Sequence, residues 1–146
     1  MKSLRKGIGN RKDVESYYDN WSSLYDKTLY EWEYKAPLQS VNILKKYIKI
    51  KPKFILDLAC GTGLFVDKFL KAYPDCICDG SDISKKILDI SKRNGKYRYL
   101  YKKSFENKIK IKNKYNVVSL IGAMTYCDNH QLLFKLVSYY PVSYTH

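Results

Sequence analysis

The feature that most constrains the fold is a short apolar run that ends in a glycine turn and continues as an amphipathic helix. Residues 54–60 read Phe-Ile-Leu-Asp-Leu-Ala-Cys, Gly61 and Gly63 follow, and apolar residues then recur at helical spacing from Leu64 to Leu70. This order predicts a buried strand, a tight turn and a helix. Such a turn lets a ligand approach the backbone closely and directs free N–H groups of the helix start towards it.

Similar units follow along the chain. Residues 76–82 predict a second strand, and Ser84 suits the N-cap of a helix that continues through Ile87, Leu88 and Ile90. Further strands are predicted at residues 97–101 and 115–121, with a last helix at 132–137. The fourth strand is as apolar as a central strand of a parallel sheet. The sequence therefore predicts an α/β fold.

Aromatic residues dominate the segment before the first strand. They recur at intervals near three and four, which predicts an aromatic face on one or two short helices. They are Tyr17, Tyr18, Trp21, Tyr25, Tyr30, Trp32 and Tyr34. Pro37 suits the first turn of another helix, which ends before Pro52. Residues 1–13 are polar and basic and predict a loose lead.

Length and hydrophobic content limit the chain to one domain. Its 146 residues are 45% hydrophobic, which is enough for one core and too little for two. We divide residues 1–146 into a helical cap over 14–50 and a core over 51–146. No apolar run approaches the roughly 18 residues that cross a membrane, so no membrane partner is expected.

The cysteines and the charge restrict the partners. The chain has four cysteines, Cys60, Cys76, Cys78 and Cys127. Their spacing matches no zinc motif, so we expect no metal and reduced thiols in a cytoplasmic protein. The net charge of +13 would suit nucleic acid, but the abundance of Lys, Ile, Asn and Tyr is better explained by an AT-rich genome. The Lys alternation at 108–114 predicts an extended sheet edge or, alternatively, a basic loop that contacts phosphate.

Two acidic residues point to a nucleoside ligand. Asp57 lies in the first strand, and Asp82 ends the second strand 19 residues after Gly63. An acid at that offset is placed to accept hydrogen bonds from both ribose hydroxyls. Val66 stands where a dinucleotide site has its third glycine, which disfavours a pyrophosphate ligand and a nicotinamide oxidoreductase. The sequence contains no GxxxxGK[ST] phosphate loop.

Three linked motifs resemble one family. Residues 57–63 resemble the first motif, DxGxGxG, of the class I S-adenosylmethionine-dependent methyltransferases. Residues 80–84 resemble their second motif, whose acid binds the ribose, and residues 115–118 resemble the start of their fourth strand. Segments 17–26 and 33–37 are similar to the helical cap of small-molecule methyltransferases, most of all the methyltransferase-like subgroup named for the Williams–Beuren critical region.

The resemblance implies a Rossmann-like sheet with a helical N-terminal cap, S-adenosyl-L-methionine as cofactor and a small-molecule acceptor. The cofactor-binding residues that it implies are Tyr18, Tyr25, Asp57, Ala59, Gly61, Gly63, Asp82, Ile83, Ser104 and Gly122. Ala59 replaces the first glycine of the motif, and Ser104 stands where an acid often binds the adenine amino group.

No residue is assigned a catalytic role, because methyl transfer depends mainly on positioning the acceptor. If the acceptor must lose a proton, the candidate bases are Asp128 and His130. Tyr126 and Asp128 are placed to face the acceptor.

The end of the sequence suggests an incomplete fold. The resembled fold has further strands after the fourth, whereas this sequence ends in Pro-Val-Ser-Tyr-Thr-His, which resembles a translated sequencing adapter. We expect a C-terminally truncated chain without the later strands, whose fourth strand is a sheet edge that promotes self-association. Two alternatives to a small-molecule methyltransferase stay open: an RNA methyltransferase that uses the basic surface, and an inactive cofactor-binding fragment.

Overall fold

A computed structural model describes residues 10–111, 114–127 and 129–140. Its helices are α1 (Arg11–Trp21), α2 (Tyr25–Glu31), α3 (Ala36–Tyr47), α4 (Leu64–Ala72), α5 (Lys85–Asn94) and α6 (His130–Tyr139). Short 3₁₀ turns lie at Ser22–Leu24 and Met124–Tyr126. Its strands are β1 (Phe54–Leu58), β2 (Ile77–Asp82), β3 (Tyr99–Lys102) and β4 (Val117–Leu120).

The strands form one parallel sheet in the order β3-β2-β1-β4. The chain moves outward from β1 to β2 and β3, then returns to place β4 on the other side of β1. Ligands of open α/β sheets bind at the carboxyl ends of the strands where the order reverses in this way. The topology therefore predicts a ligand site at the carboxyl ends of β1 and β4.

Each face of the sheet carries its own core. On one face, Ile55 of β1 packs with Val66 and Phe69 of α4 and with Val41 of α3. The core of the opposite face has a larger set of buried side chains, among them Leu56, Leu58, Phe105, Ile109, Tyr115, Leu133 and Tyr140. Burial of apolar surface on both faces is what stabilises a parallel sheet of this kind.

The local predictions are largely confirmed. Pro37 lies in the first turn of α3, and Ser84 caps α5 by accepting a hydrogen bond from the backbone N–H of Ile87 at 3.1 Å. The aromatic segment forms α1, a 3₁₀ turn and α2. The predicted loose lead is wrong at its end, because α1 already begins at Arg11, where the side chain of Asn10 accepts from the N–H groups of the first turn. Residues 1–9 lie outside the described ranges.

The prediction of an extended sheet edge at residues 108–114 is wrong. In the part that the structure describes, this segment pairs with no strand, and the edges of the sheet are β3 and β4. Ile109 is only 2% exposed, and its N–H donates to the Tyr140 hydroxyl at 3.3 Å. The ammonium group of Lys108 lies 2.9 Å from the ring centroid of Tyr139. The alternation thus buries Ile109 and exposes Lys108 and Lys110 in a loop. Lys112 and Asn113 lie outside the described residues.

The outer edge of β4 is unpaired within the described ranges, as the sequence predicts. No helix in those ranges has the length and apolarity needed to cross a membrane. Nor do the described side chains of His, Cys, Asp and Glu form a group that could hold a metal ion.

Candidate functional site

A large cavity lies at the carboxyl ends of the strands, between the sheet and the cap helices α1 and α2. Its empty space is about 880 Å³, part of which opens to solvent. The cavity is lined by Asn10, Arg11, Val14, Tyr18, Tyr25, Ala59, Gly61, Asp82, Ile83, Ile87, Ser104, Phe105, Glu106, Ile121, Gly122, Ala123 and Tyr126.

The structure brings most of the predicted site residues together. Those that line the large cavity are Tyr18, Tyr25, Ala59, Gly61, Asp82, Ile83, Ser104 and Gly122. Asp57 and Gly63 do not line it. Gly63 is the left-handed residue that starts α4, and Asp57 lies in the wall of a second, smaller space of about 340 Å³ beside Gly61. Both residues therefore support the turn from outside the large cavity.

The glycine turn depends on left-handed backbone. Gly61 and Gly63 have φ angles of 57° and 96°, which glycine adopts without strain. Ala59 has a φ of 50°, so the residue that replaces the first glycine of the motif is held in a conformation that its Cβ disfavours. Non-glycine residues in such conformations cluster at functional sites.

The Asp82 carboxylate is fixed in the cavity wall. It is 8% exposed, and its Oδ2 accepts from the Gly61 N–H at 3.0 Å while its Oδ1 accepts from the Ser84 N–H at 2.9 Å. Burial raises the pKa of Asp82, and these N–H groups oppose that rise. Each carboxylate oxygen accepts more than one hydrogen bond, so Asp82 can also bind hydroxyl groups of a ligand.

Asp57 lies beneath the turn and is 1% exposed. Its Oδ2 accepts from the Tyr97 hydroxyl at 2.7 Å and its Oδ1 from the Ser119 hydroxyl at 2.6 Å. Burial raises its pKa to about 6, although both hydrogen bonds oppose the rise. These bonds connect β1 to β4 and to the segment before β3, so they hold the strand ends that carry the site.

Gly80 leaves the space that the Tyr97 ring needs. A Cβ at residue 80 would lie 2.9 Å from Cε1 of Tyr97 and 3.0 Å from Sγ of Cys60. The glycine before Asp82 in the second motif is therefore required by packing.

The cap contributes aromatic rings to the cavity. The rings of Tyr18 and Tyr25 lie 6.0 Å apart, and the Tyr18 hydroxyl donates to the Tyr126 hydroxyl at 3.1 Å. Burial raises the pKa of both Tyr18 and Tyr25, so both phenols stay neutral at physiological pH. The Tyr25 ring also covers Gly61, because a Cβ there would lie 3.4 Å from the tyrosine hydroxyl. Neutral aromatic faces attract cationic ligand groups.

Polar contacts attach the cap to the core at several points. Arg11 donates to Asn107 at 3.0 Å and to Glu106 at 3.3 Å. Lys102 and Glu15 form an ion pair at 2.6 Å. Two further contacts join cap carboxylates to core hydroxyls: Asp19 to Ser84, and Asp26 to Thr62, each at 2.5 Å.

The remaining predicted residues differ in whether they line the cavity. Tyr126 lines the cavity. His130 is exposed at the start of α6 and does not line the cavity, and Asp128 lies outside the described residues. The wall residues that the sequence analysis missed are mainly Asn10, Arg11, Val14, Ile87, Phe105, Glu106, Ile121 and Ala123. Phe105 and Ile121 are sequence neighbours of the predicted site residues Ser104 and Gly122, which is a signal that could have identified them. No feature of the local sequence predicts that Arg11 contacts Glu106.

Comparisons with known proteins agree with this geometry. Residues 55–138 match the family described as Methyltransferase domain. Over 96 residues the chain is 34% identical to methyltransferase-like protein 27 of Homo sapiens, covering 64% of this chain and 39% of that protein. Over 87 residues it is 29% identical to the malonyl-[acyl-carrier protein] O-methyltransferase of Halalkalibacterium halodurans, covering 58% and 32%. The chain spans less than two fifths of the length of either relative, in alignments that cover 39% and 32%.

The fold is shared with a solved methyltransferase. Magnesium protoporphyrin IX methyltransferase from Synechocystis PCC 6803, crystallised with bound S-adenosylmethionine, superposes with a TM-score of 0.69 at 14% identity. The superposition covers 97% of this chain and 74% of that chain. At this identity the likeness concerns the fold, and it confirms the predicted Rossmann-like sheet.

Proposed function

Because this chain belongs to the methyltransferase-domain family, whose match spans residues 55–138, we propose that its large cavity binds S-adenosyl-L-methionine for methyl transfer to a small molecule. The observation that carries the proposal is the Asp82 carboxylate, buried in the cavity wall and oriented by two backbone N–H groups. Because its oxygens can accept further hydrogen bonds, Asp82 suits the two ribose hydroxyls of a nucleoside.

The remaining walls fit the other parts of this cofactor. Ile83 and Phe105 supply apolar surface next to Ser104, whose hydroxyl can bond an adenine amino group. Tyr18 and Tyr25 present neutral aromatic rings on the cap side, a favourable surface for a sulfonium cation. Gly61 and Gly122 contribute backbone to the cavity wall.

The chemistry requires little from the protein beyond positioning. When bound, S-adenosylmethionine supplies an electrophilic methyl group on sulfur, which a nucleophile removes by in-line displacement. The protein places the reacting groups and excludes water from between them. The cap helices α1 and α2 form the wall that limits access of water. Tyr126, after β4, also lines the cavity and is hydrogen-bonded to Tyr18, so it suits the orientation of an acceptor.

A small-molecule acceptor agrees with the relatives. The names of two of them specify O-methylation of malonyl-[acyl-carrier protein] and methylation of magnesium protoporphyrin IX. Within the described residues, the cavity wall contains one arginine, Arg11, which is already bonded to Glu106 and Asn107. An RNA acceptor would need a basic surface beside the site for phosphate contacts.

Calorimetric titration of the purified chain with S-adenosylmethionine, S-adenosylhomocysteine and NAD tests the proposal. We expect binding of the first two ligands and none of NAD, because the cavity offers a ribose acceptor and no third glycine for a pyrophosphate. A folded chain, verified by circular dichroism, that binds neither S-adenosyl ligand would refute the proposal. Retention on RNA with a steep salt dependence would favour the nucleic-acid alternative.

A further inference from the structure

Two hydrogen bonds join the cap to the segments that carry the cofactor motifs. The Thr62 hydroxyl, between the two glycines of the turn, donates to Oδ1 of Asp26 on α2 at 2.5 Å. The Ser84 hydroxyl, two residues after Asp82, donates to Oδ1 of Asp19 on α1 at 2.5 Å. We call these two hydroxyl–carboxylate pairs the latches. Each connects one cap helix to one motif.

The Thr62 latch is firmly supported on the core side. Thr62 is 2% exposed, and its carbonyl oxygen accepts from the side chain of Asn94 at the end of α5 at 3.0 Å. Its hydroxyl would exchange this charge-assisted hydrogen bond for water if α2 moved away. Asp26 lies on an exposed position of the first helical turn, where water can replace the contact. The contact therefore favours the closed cap.

The hydroxyl group of Ser84 makes two hydrogen bonds, one to α5 and one to the cap. Its hydroxyl oxygen accepts from the Ile87 N–H as the N-cap of α5 and donates its proton to Asp19. The same Asp19 oxygen also accepts from the Lys86 N–H at 3.2 Å. A carboxylate at this helix start is favoured by the helix dipole. The end of α1 is thus fixed to the segment that follows Asp82.

We propose that Thr62 is a positioning residue that holds the cap closed and sets the rate at which the cofactor leaves the cavity. This inference rests on the proposed function. Tyr18 and Tyr25 form the cap part of the cavity wall, and Gly61 and Asp82 belong to its core part. A ligand that contacts both parts dissociates faster when the contacts between them are removed. The Thr62 latch lies beside Gly61 and therefore controls that separation.

The first test measures release of tritiated S-adenosylmethionine, chased with excess S-adenosylhomocysteine. We expect Thr62→Val and Asp26→Ala each to speed dissociation about tenfold, as loss of a charge-assisted hydrogen bond implies. The double variant should dissociate no faster than either single variant, because both changes remove one interaction. Thr62→Ser retains the hydroxyl and should keep the original rate.

Glu31→Ala is the matched control, since it removes an acid from the same helix whose nearest cation is the exposed Lys27 at 3.9 Å. It should leave the dissociation rate unchanged. Unchanged rates in Thr62→Val and Asp26→Ala, or additive effects in the double variant, would overturn the positioning role.

The second test needs no cofactor. Hydrogen exchange of the ligand-free chain should be faster at the α2 amides in Thr62→Val and Asp26→Ala than in the unmodified chain and in Glu31→Ala. Equal exchange in all four proteins would show that the latch does not hold the cap. A chain that binds no S-adenosylmethionine overturns the release role together with the proposed function, whereas the exchange result reports on the latch separately.

Discussion

The hydroxyl of Tyr34, in the segment after α2, occupies the space that a Cβ at Gly122 would need. Gly122 follows β4 and has a φ of 78°. The backbone conformation therefore favours glycine at this position, which lies in the wall of the large cavity, and any larger residue would also displace the Tyr34 hydroxyl.

Gly122→Ala should destabilise the chain. We expect a loss of about 1–2 kcal/mol, mainly from the positive φ, with a smaller cost for displacing the exposed Tyr34 hydroxyl. Adding Tyr34→Phe removes the hydroxyl and leaves Cζ of the ring 3.4 Å from the new Cβ, so the double variant should recover part of the loss. Urea denaturation measures both. A double variant no more stable than Gly122→Ala would contradict the proposed collision.

Ala59→Gly should stabilise the chain. The alanine has a φ of 50°, and glycine removes the steric cost of that conformation while increasing the entropy of the unfolded chain. The net gain should be about 0.5–1 kcal/mol in the free energy of unfolding. Ala72→Gly, at the end of α4, is the control and should lower stability. A loss of stability in Ala59→Gly would mean that its methyl group contributes essential packing.

Asp82→Ala should abolish measurable binding of S-adenosylmethionine. Loss of hydrogen bonds between a carboxylate and two hydroxyl groups weakens affinity by about 100-fold or more. Asp89→Ala removes an exposed acid of α5 that pairs with Lys85, and it should bind as the unmodified chain does. Calorimetric titration compares them, and circular dichroism checks that both are folded. Unchanged affinity in Asp82→Ala would refute the ribose assignment.

The buried Asp57 carboxyl group should contribute more to the stability of the chain in mild acid than near neutral pH. Burial raises its pKa from 3.8 to about 6, so in mild acid the folded state binds a proton that the unfolded state does not. Its contribution to stability therefore grows as pH falls from about 6 to 4, by of order 2 kcal/mol.

Chemical denaturation at pH 7 and pH 5 checks this sign. The stability of the unmodified chain should increase relative to Asp57→Asn at the lower pH, while Asp75→Asn, an exposed position, should follow the unmodified chain. Asp82, whose pKa is also raised, is present in all three proteins and cancels in the comparison. Equal pH dependence of Asp57→Asn and the unmodified chain would exclude a titration of Asp57 in this range.

The unpaired edge of β4 should promote self-association. Within the described residues β4 pairs only with β1, and Val117, Val118 and Leu120 are incompletely buried. Exposed strand edges bind a second strand. Sedimentation over a range of concentrations should therefore show species larger than the monomer. A single monomeric species that melts cooperatively would contradict this expectation.

The local sequence pattern was sufficient to predict the helices and strands of the fold. Apolar periodicity located the helices and strands, Ser84 was recognisable as an N-cap, and Asp82 could be placed at a strand end. These features depend on residues close together in sequence, where spacing determines which side chains share a face. Where the structure describes it, the alternation at 108–114 does not form the predicted sheet edge, because alternation specifies a buried and an exposed side, whereas a strand also needs a pairing partner.

Only the tertiary structure decided which distant side chains meet. It turned Asp57 away from the large cavity towards Ser119 and Tyr97, placed Tyr34 on Gly122, and brought Arg11 to Glu106. These contacts depend on how separate elements pack together. Spacing along the sequence does not determine the distance in space between residues of different elements. The sequence by itself determined the elements and the ligand class that the motifs suit. Packing decided the walls of the cavity, because close-packed side chains from separate elements must fit each other in space.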